Sequence, residues 1–434
     1  MSESISTTAR IEGSAVRTAG PRQLLWKLVQ SPEVIFLVAL TVRIWIAAQV
    51  APDHAWEHFY RYNEFAHIAS SVVSGCGYCS PWANTPLAPT AVEPPVYSYL
   101  LAAIFKVAGA YTYNSLCVAI LLNALFSATT AVLIFLVAKR DFGVAAGVLA
   151  AWVWSGWIYE AAMGIRLWES SLAALLLITA LLILPLVSRS RMLSAWVLFG
   201  ILAAVAGLTN TTLLAVFPFL WLWLWFTSRG QPDSSGKRLA VSLAAFVLVM
   251  MPWTIRNYEV FHRLMPVRDN FGLELWLGNH EGVARRFDSD FPILNPTEYN
   301  RLGELRFMEE KRVIALEFIR EHPAQFLRLS ADRTFHYWTA PEVATWLPLT
   351  ILAWLGLILA LRRKGRDAWP YAIVMLVFPV IYYVTHTFNS YRHPMEPVMF
   401  MLAAYTLIES AKALLGKLGA RRSARSAVSG EGSF

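Results

Sequence analysis

Uncharged apolar runs recur along the chain near residues 34–50, 115–137, 142–160, 170–187, 192–208, 211–227, 239–255, 346–361, 369–387 and 395–415. A helix of about 17 to 25 apolar residues crosses the hydrocarbon core and satisfies its own backbone hydrogen bonds there, as lipid demands. The pattern predicts an all-α polytopic membrane protein of about ten transmembrane helices. It divides the chain into an N-terminal segment (1–33), a transmembrane core (34–255) with one long loop at 51–112, an outward segment (256–345), C-terminal spans (346–415) and a tail (416–434). The tail is rich in Ser, Gly and Arg and reads as disordered.

Two stretches are helical without spanning. In 62–73, Phe65, Ile68, Ala69 and Val72 share one face and leave Glu64, His67 and Ser71 on the other, an interfacial helix pattern. Pro94-Pro95 then opens an apolar stretch, 96–108, which Gly109 closes. Counting it as an eleventh span would put the basic C-terminal tail outside, so it reads as lying beside the membrane. In 256–345, Asn295, Pro296 and Glu298 resemble a capped helix start, and His322-Pro323 marks its stop. A second amphipathic helix carries Phe326, Leu327, Phe335 and Trp338 back to the membrane, so the segment reads as a small, partly helical lid over the spans.

Charge sets the orientation. Of 37 Lys and Arg, twenty fall in the N-terminal segment, alternate short loops and the tail. The short segments of the other face hold four: Arg61, Lys106, Arg166 and Arg392. Short basic loops stay inside, which predicts cytoplasmic termini and an outward 51–112 and 256–345. The polar start fits an uncleaved signal anchor. Because the cations are interleaved with apolar runs, the net charge of +8 points to a membrane, not to nucleic acid.

Three cysteines are too few for a disulfide framework. Cys76-Gly77-Tyr78-Cys79 has redox-motif spacing without a βαβ context, and in an outer loop it suits a local disulfide; Cys117 reads as a packing residue in the second span. His54 to His58 matches H-x-x-E-H, yet it lacks a long helix and a third ligand, so it reads as a polar loop. No metal or cofactor is expected. No Walker loop or dinucleotide fingerprint occurs, so an activated donor would come from the lipid. Tryptophans near span ends form an aromatic belt.

The most informative residue is Glu64, with Asp53 and Glu57 upstream and Glu93 downstream. A carboxylate at the outer membrane surface is able to take a proton from an acceptor hydroxyl beside a membrane-borne donor; its plain alternative is a solvated acid. Arg166, Arg256 and Arg392, with Arg43 inside the first span, are candidates for gripping a lipid-linked phosphate. The alternatives are snorkelling to headgroups and, for Arg43, a buried pair with Glu169 or Glu396.

The runs Asn63-Glu64-Phe65-Ala66-His67, Gly75 to Pro81, Pro89 to Tyr97 and Phe105 to Gly109 resemble the first outer loop of bacterial GT-C membrane glycosyltransferases. The nearest groups are RgtA/B/C/D-like and protein-mannosyltransferase-like, related to aminoarabinose transferases. Pro252 to Tyr258, Arg268 to Asn279 and Tyr391-Arg392-His393-Pro394 are similar to later family stretches. The resemblance implies inverting transfer of a sugar from a polyprenyl-phosphate donor to a lipid, glycan or protein acceptor, at the outer face of a bacterial inner membrane. It casts Glu64 as catalytic and Asn63, Glu93, Arg256, Tyr391 and Arg392 as substrate contacts; Arg166 and Glu169, read from the residues themselves, join them as substrate-binding candidates. The family's Asp-Glu pair falls on Asn63-Glu64, so one carboxylate is missing. Glu93 stands where aminoarabinose transferases carry Lys, which leaves the phosphate to Arg256 and Arg392. The rival reading is a lipid or sugar transporter or flippase, which predicts paired broken helices and an inverted repeat; no internal repeat is visible.

Overall fold

The computed structural model describes residues 20–50, 60, 63–82, 85–228, 235–283, 296–340 and 346–430. Its helices are α1 (Pro21–Val29), α2 (Pro32–Val50), α3 (Glu64–Val73), α4 (Pro95–Ala108), α5 (Tyr113–Phe142), α6 (Val144–Gly156), α7 (Ile158–Met163), α8 (Ser170–Arg189), α9 (Leu193–Thr209) and α10 (Leu213–Ser228). They continue as α11 (Ser235–Phe261), α12 (Phe271–Gly278), α13 (Pro296–Leu302), α14 (Glu304–Glu321), α15 (Pro323–Thr339), α16 (Trp346–Lys364), α17 (Trp369–Val377), α18 (Val380–Val384) and α19 (Glu396–Gly430). Short 3-10 turns occupy Gly365–Ala368 and Asn389–Met395. Among the described residues the extended pairing is a single bridge, Cys79 to Pro89.

Among the described residues, six segments are long and apolar enough to cross a membrane: Pro32–Gln49, Tyr113–Phe142, Ser170–Arg189, Gly236–Phe261, Trp346–Val384 and Asn389–Ala420. The chain is thus a multi-pass membrane protein, helical nearly throughout its described residues, and every apolar run read from the sequence lies largely in helix. Four apolar helices are shorter: α4, α6, α9 and α10. The helix expected beside the membrane is α4, which ends at Gly109 with φ +89°.

Three boundaries differ from expectation. Helix α11 runs on to Phe261, so Arg256 lies within it. The run 369–387 breaks at Phe378-Pro379 and stops at Val384, because Pro379 has no N–H to continue the ladder. Helix α19 runs through the tail to Gly430, where disorder was expected. In the outward segment, Gly303 at φ +75° divides α13 from α14, and α14 stops at His322 as read. Leu327 and Phe335 on α15 are exposed, whereas Trp338 packs inward. Cys117 faces out of the bundle instead of packing in it.

Helix α6 has only 13 residues. At 1.5 Å per residue that is about 20 Å, short of a core about 30 Å thick. Its last carbonyls are therefore orphaned inside the protein. Arg43 of α2 supplies the missing donors: it bonds Ser155 O at 3.1 Å, Trp154 O at 3.3 Å, Ala39 O at 3.0 Å and the Ser127 hydroxyl at 2.7 Å. Arg43 thus caps a helix end and pairs with neither Glu169 nor Glu396; the acid that acts on it is Glu160.

Helix pairs approach closely where a glycine removes the side chain, as in lipid-embedded bundles. A Cβ on Gly200 of α9 would lie 2.0 Å from the Ser242 carbonyl oxygen of α11, and one on Gly356 of α16 would lie 2.1 Å from Leu402 O of α19. Gly200→Ala and Gly356→Ala are each expected to lower the thermal midpoint of the detergent-solubilised protein, by overpacking worth about 1–3 kcal/mol. Gly236→Ala, with open space around its Cβ, is the neutral control. Equal midpoints for all three variants would rule out backbone contact at those crossings.

Candidate functional site

The first loop is built on caps and cross-ties. Asn63 caps α3 by accepting the Ala66 N–H at 2.9 Å, and its Nδ2 donates to Leu167 O at 2.6 Å. An aspartate would cap equally well but has no donor for Leu167, so Asn63 fastens α3 to the α7–α8 link. Glu64 follows at the first helical position, half-buried, and its Oε1 accepts the Trp82 indole N–H at 3.3 Å. The Cys76–Cys79 disulfide closes the turn after α3. Between these cysteines, the Tyr78 hydroxyl lies 2.8 Å from the Glu93 carbonyl oxygen.

The outward segment docks on this loop. Asp269 N–H donates to Ala91 O at 2.9 Å, and Glu304 of α14 accepts the Ala91 N–H at 2.6 Å and the Tyr299 hydroxyl at 3.0 Å. Arg268 comes with it. Its Nε donates to Val92 O at 2.9 Å, and one terminal nitrogen reaches Glu93 at 3.3 Å and Glu274 of α12 at 3.5 Å. Glu64 and Glu169 lie within electrostatic reach of the same guanidinium. Asn210 donates to Glu169 at 3.1 Å, and Asn270 donates to Glu274. Tyr391 completes the cluster, stacked on Tyr382 with centroids 4.9 Å apart and bonded to His386, whose other nitrogen lies 3.3 Å from the Glu274 carboxylate.

One cation therefore serves four carboxylates. Burial pushes Glu64 and Glu93 above the usual carboxylate range, with Arg268 pulling the other way, and lifts Glu169 to about 7. Burial also opposes the charge on Arg268, but Glu93, Glu274 and Glu169 outweigh it and hold the guanidinium charged. Such a cluster is able to take a proton at Glu64 and to meet an anion at Arg268.

Of the residues singled out in the sequence, the structure brings Glu64, Glu93, Glu169 and Tyr391 together, with Asn63 as the cap beneath Glu64. It does not bring the three arginines. Arg256 lies over the Tyr78 and Trp253 rings and donates to Thr90 O at 2.7 Å and Tyr78 O at 2.8 Å, bracing the loop from outside. Arg166 is exposed on the α7–α8 link, near Met163. Arg392 is fully buried in its own pair with Glu396 at 2.7 Å, 3.6 Å above the Trp346 ring. Asp53, Glu57 and the His54–His58 motif lie outside the described residues. Sequence reasoning missed Arg268, Glu274 and His386. Arg268 stands two residues before Asn270, whose side chain meets Glu274 at the start of α12, and that arrangement was the available signal.

The family described as dolichyl-phosphate-mannose-protein mannosyltransferase matches residues 92–255. Among solved structures, the chain is similar to ArnT from Cupriavidus metallidurans bound to undecaprenyl phosphate, at 14% identity and TM-score 0.50, covering 87% of this chain and 62% of that one. It is also similar to the Archaeoglobus fulgidus oligosaccharyltransferase in the apo form, at 15% identity and TM-score 0.55, covering 94% and 53%. The archaeal oligosaccharyltransferase AglB of that organism, in complex with an inhibitory peptide and a dolichol-phosphate, matches at 14% identity and TM-score 0.53, covering 94% and 52%. The chain thus spans between half and two thirds of the length of these proteins. No curated protein sequence matches it. The resemblance read from the first loop holds for the fold, which the chain shares with ArnT and the archaeal oligosaccharyltransferase.

Burial lifts Glu304 from 4.5 to about 7. Between those values the folded chain keeps a proton that the unfolded chain has released, so stability falls as pH rises from about 4.5 to 7, by up to about 3 kcal/mol. Glu304→Gln is expected to narrow the gap in thermal midpoint between pH 5 and pH 8. An unchanged gap would show that Glu304 ionises without cost.

Proposed function

We propose that the chain is an inverting glycosyltransferase that moves a hexosyl or pentosyl group from a polyprenyl-phosphate donor to a lipid, glycan or protein acceptor. The observation that carries this reading is Glu64, half-buried in a cluster of four carboxylates with Arg268 as the cation at its centre. The GT-C fold and the matches to proteins solved with undecaprenyl phosphate and dolichol-phosphate support the donor class.

The chemistry follows from the residues. An acceptor oxygen attacks the anomeric carbon while Glu64 takes its proton. The bond from that carbon to the phosphate oxygen breaks, and its electron pair leaves on the lipid phosphate. The added negative charge develops beside Arg268, the group placed to stabilise it. A carboxylate whose pKa is raised by burial is a better base than one in water. The reacting end of the fold lies opposite the basic loops around Lys139–Arg140 and Arg362–Lys364, which supports an outward, periplasmic site with cytoplasmic termini and about ten crossings.

Mass spectrometry of envelope glycans and glycolipids, comparing cells lacking the chain with cells complemented by each variant, tests the reading. Glu64→Gln is expected to cut product by about 10²-fold or more at an unchanged protein level. Arg268→Gln is expected to do the same, and Arg268→Lys to retain part of the activity because it keeps the charge without the fork. Full product from Glu64→Gln would remove the base and with it this mechanism.

A further inference from the structure

His386 was invisible in the sequence and has no part in the chemistry above, yet it is buried at the cluster, in contact with Glu274 and Tyr391. It follows α18, on the unwound link between Val384 and the 3-10 turn that carries Tyr391. That link is pressed against the end of α12: a Cβ on Gly278 would lie 1.8 Å from the Thr385 carbonyl oxygen. Asn279 donates to Val384 O at 2.9 Å, and Arg333 of α15 donates to Val384 O at 2.9 Å and to Gly278 O. The imidazole therefore has one place to go, between Glu274 and Tyr391.

Its hydrogen bonds define a direction. Nδ1 lies 3.3 Å from the Glu274 carbonyl oxygen and 3.3 Å from a Glu274 carboxylate oxygen. Both are acceptors, so Nδ1 carries a proton. Burial, and the guanidiniums of Arg268 and Arg333, oppose a second proton on the ring, against the pull of Glu274. Nε2 is then a bare lone pair, and at 2.9 Å it accepts the Tyr391 O–H. The phenol's only proton is thereby committed, and what its oxygen offers the cleft is lone pairs.

We propose that His386 sets the polarity of Tyr391, so that the phenol oxygen acts in the cleft as a hydrogen-bond acceptor and takes a hydroxyl or amine of the substrate, not a phosphate oxygen. A phosphate oxygen, itself an acceptor, would meet lone pairs at Tyr391. The cluster thus has a donor end at Arg268 for the anion and an acceptor end at Tyr391 for hydroxyls, which would orient a sugar phosphate head to tail. His386 is a positioning residue acting through Tyr391, held in turn by Glu274. The ligand class rests on the glycosyl-transfer reading; the direction of the hydrogen bonds does not.

The test uses the full chain in lipid nanodiscs. Nitrogen NMR of the ¹⁵N-histidine-labelled protein, with the His386→Gln variant assigning the signal, is expected to show His386 neutral at pH 7 with its proton on Nδ1. A proton on Nε2, alone or in addition, overturns the proposal. In the second arm, Tyr391→Phe is expected to bind undecaprenyl phosphate within about twofold of the unmodified chain while losing about tenfold in transfer, the loss of roughly one hydrogen bond. Tenfold weaker binding of undecaprenyl phosphate itself would make Tyr391 a phosphate donor and overturn the proposal. If the hydroxyl belongs to the donor sugar, Tyr391→Phe also weakens undecaprenyl-phosphate-glucose; if it belongs to the acceptor, both lipids bind unchanged and only transfer falls. Failure of the unmodified chain to bind undecaprenyl phosphate counts against glycosyl transfer, and the nitrogen spectrum still decides the tautomer.

Discussion

The site depends on one guanidinium. Arg268 ties three parts of the chain that are remote in sequence: the first loop through Val92 and Glu93, α12 through Glu274, and the start of α8 through the field it shares with Glu169. Carboxylates held this close in a buried cleft repel one another, and each is costly to keep charged out of water. The cation offsets that repulsion and so fixes where the loop rests. Removing it leaves buried acids that must take up protons or part company, and either response moves Glu64 from its place beside Trp82.

Three other arginines are used differently, and the difference explains why they are absent from the cluster. Arg43 satisfies the carbonyls that end α6, Arg333 those at the end of α12 and α18, and Arg256 those of Tyr78 and Thr90. At each place the backbone leaves regular structure where water is scarce, and unpaired carbonyls there are expensive. A guanidinium has several donors in one plane and closes two or three such gaps at once. Irregular backbone is what allows Glu64, Glu93 and His386 to converge, so the staples are a condition of the site without being part of it.

This division of labour also marks what was legible in the sequence. Spanning helices announce themselves because lipid tolerates little else, and Pro94-Pro95 and Gly109 mark helix ends through constraints local to a few residues. The partner of an arginine is set by packing across long separations, and no spacing encodes it. Tyr391 and Arg392 are adjacent, yet the turn that holds them sends Tyr391 to His386 and Arg392 to Glu396. The resemblance casts both as substrate contacts, and the 3-10 turn is the geometry that separates them. The tail misled for a related reason: its composition is that of a disordered end, but it continues from α19, and a helix already nucleated extends at little further cost.

The excess of negative charge has a consequence for turnover on the proposed reaction. Before transfer, the donor phosphate is a diester with one charge, which Arg268 matches. Afterwards the lipid phosphate gains a second ionisable oxygen, and Glu64 holds the acceptor's proton. Glu93, Glu274 and Glu169 then face a more negative product than the donor they admitted, in a buried cluster where like charges are weakly screened. The arrangement that loosens the leaving group least while it is bound to sugar opposes it most once the sugar has gone. A second cation in place of Glu93 would tighten both states alike and give up that contrast.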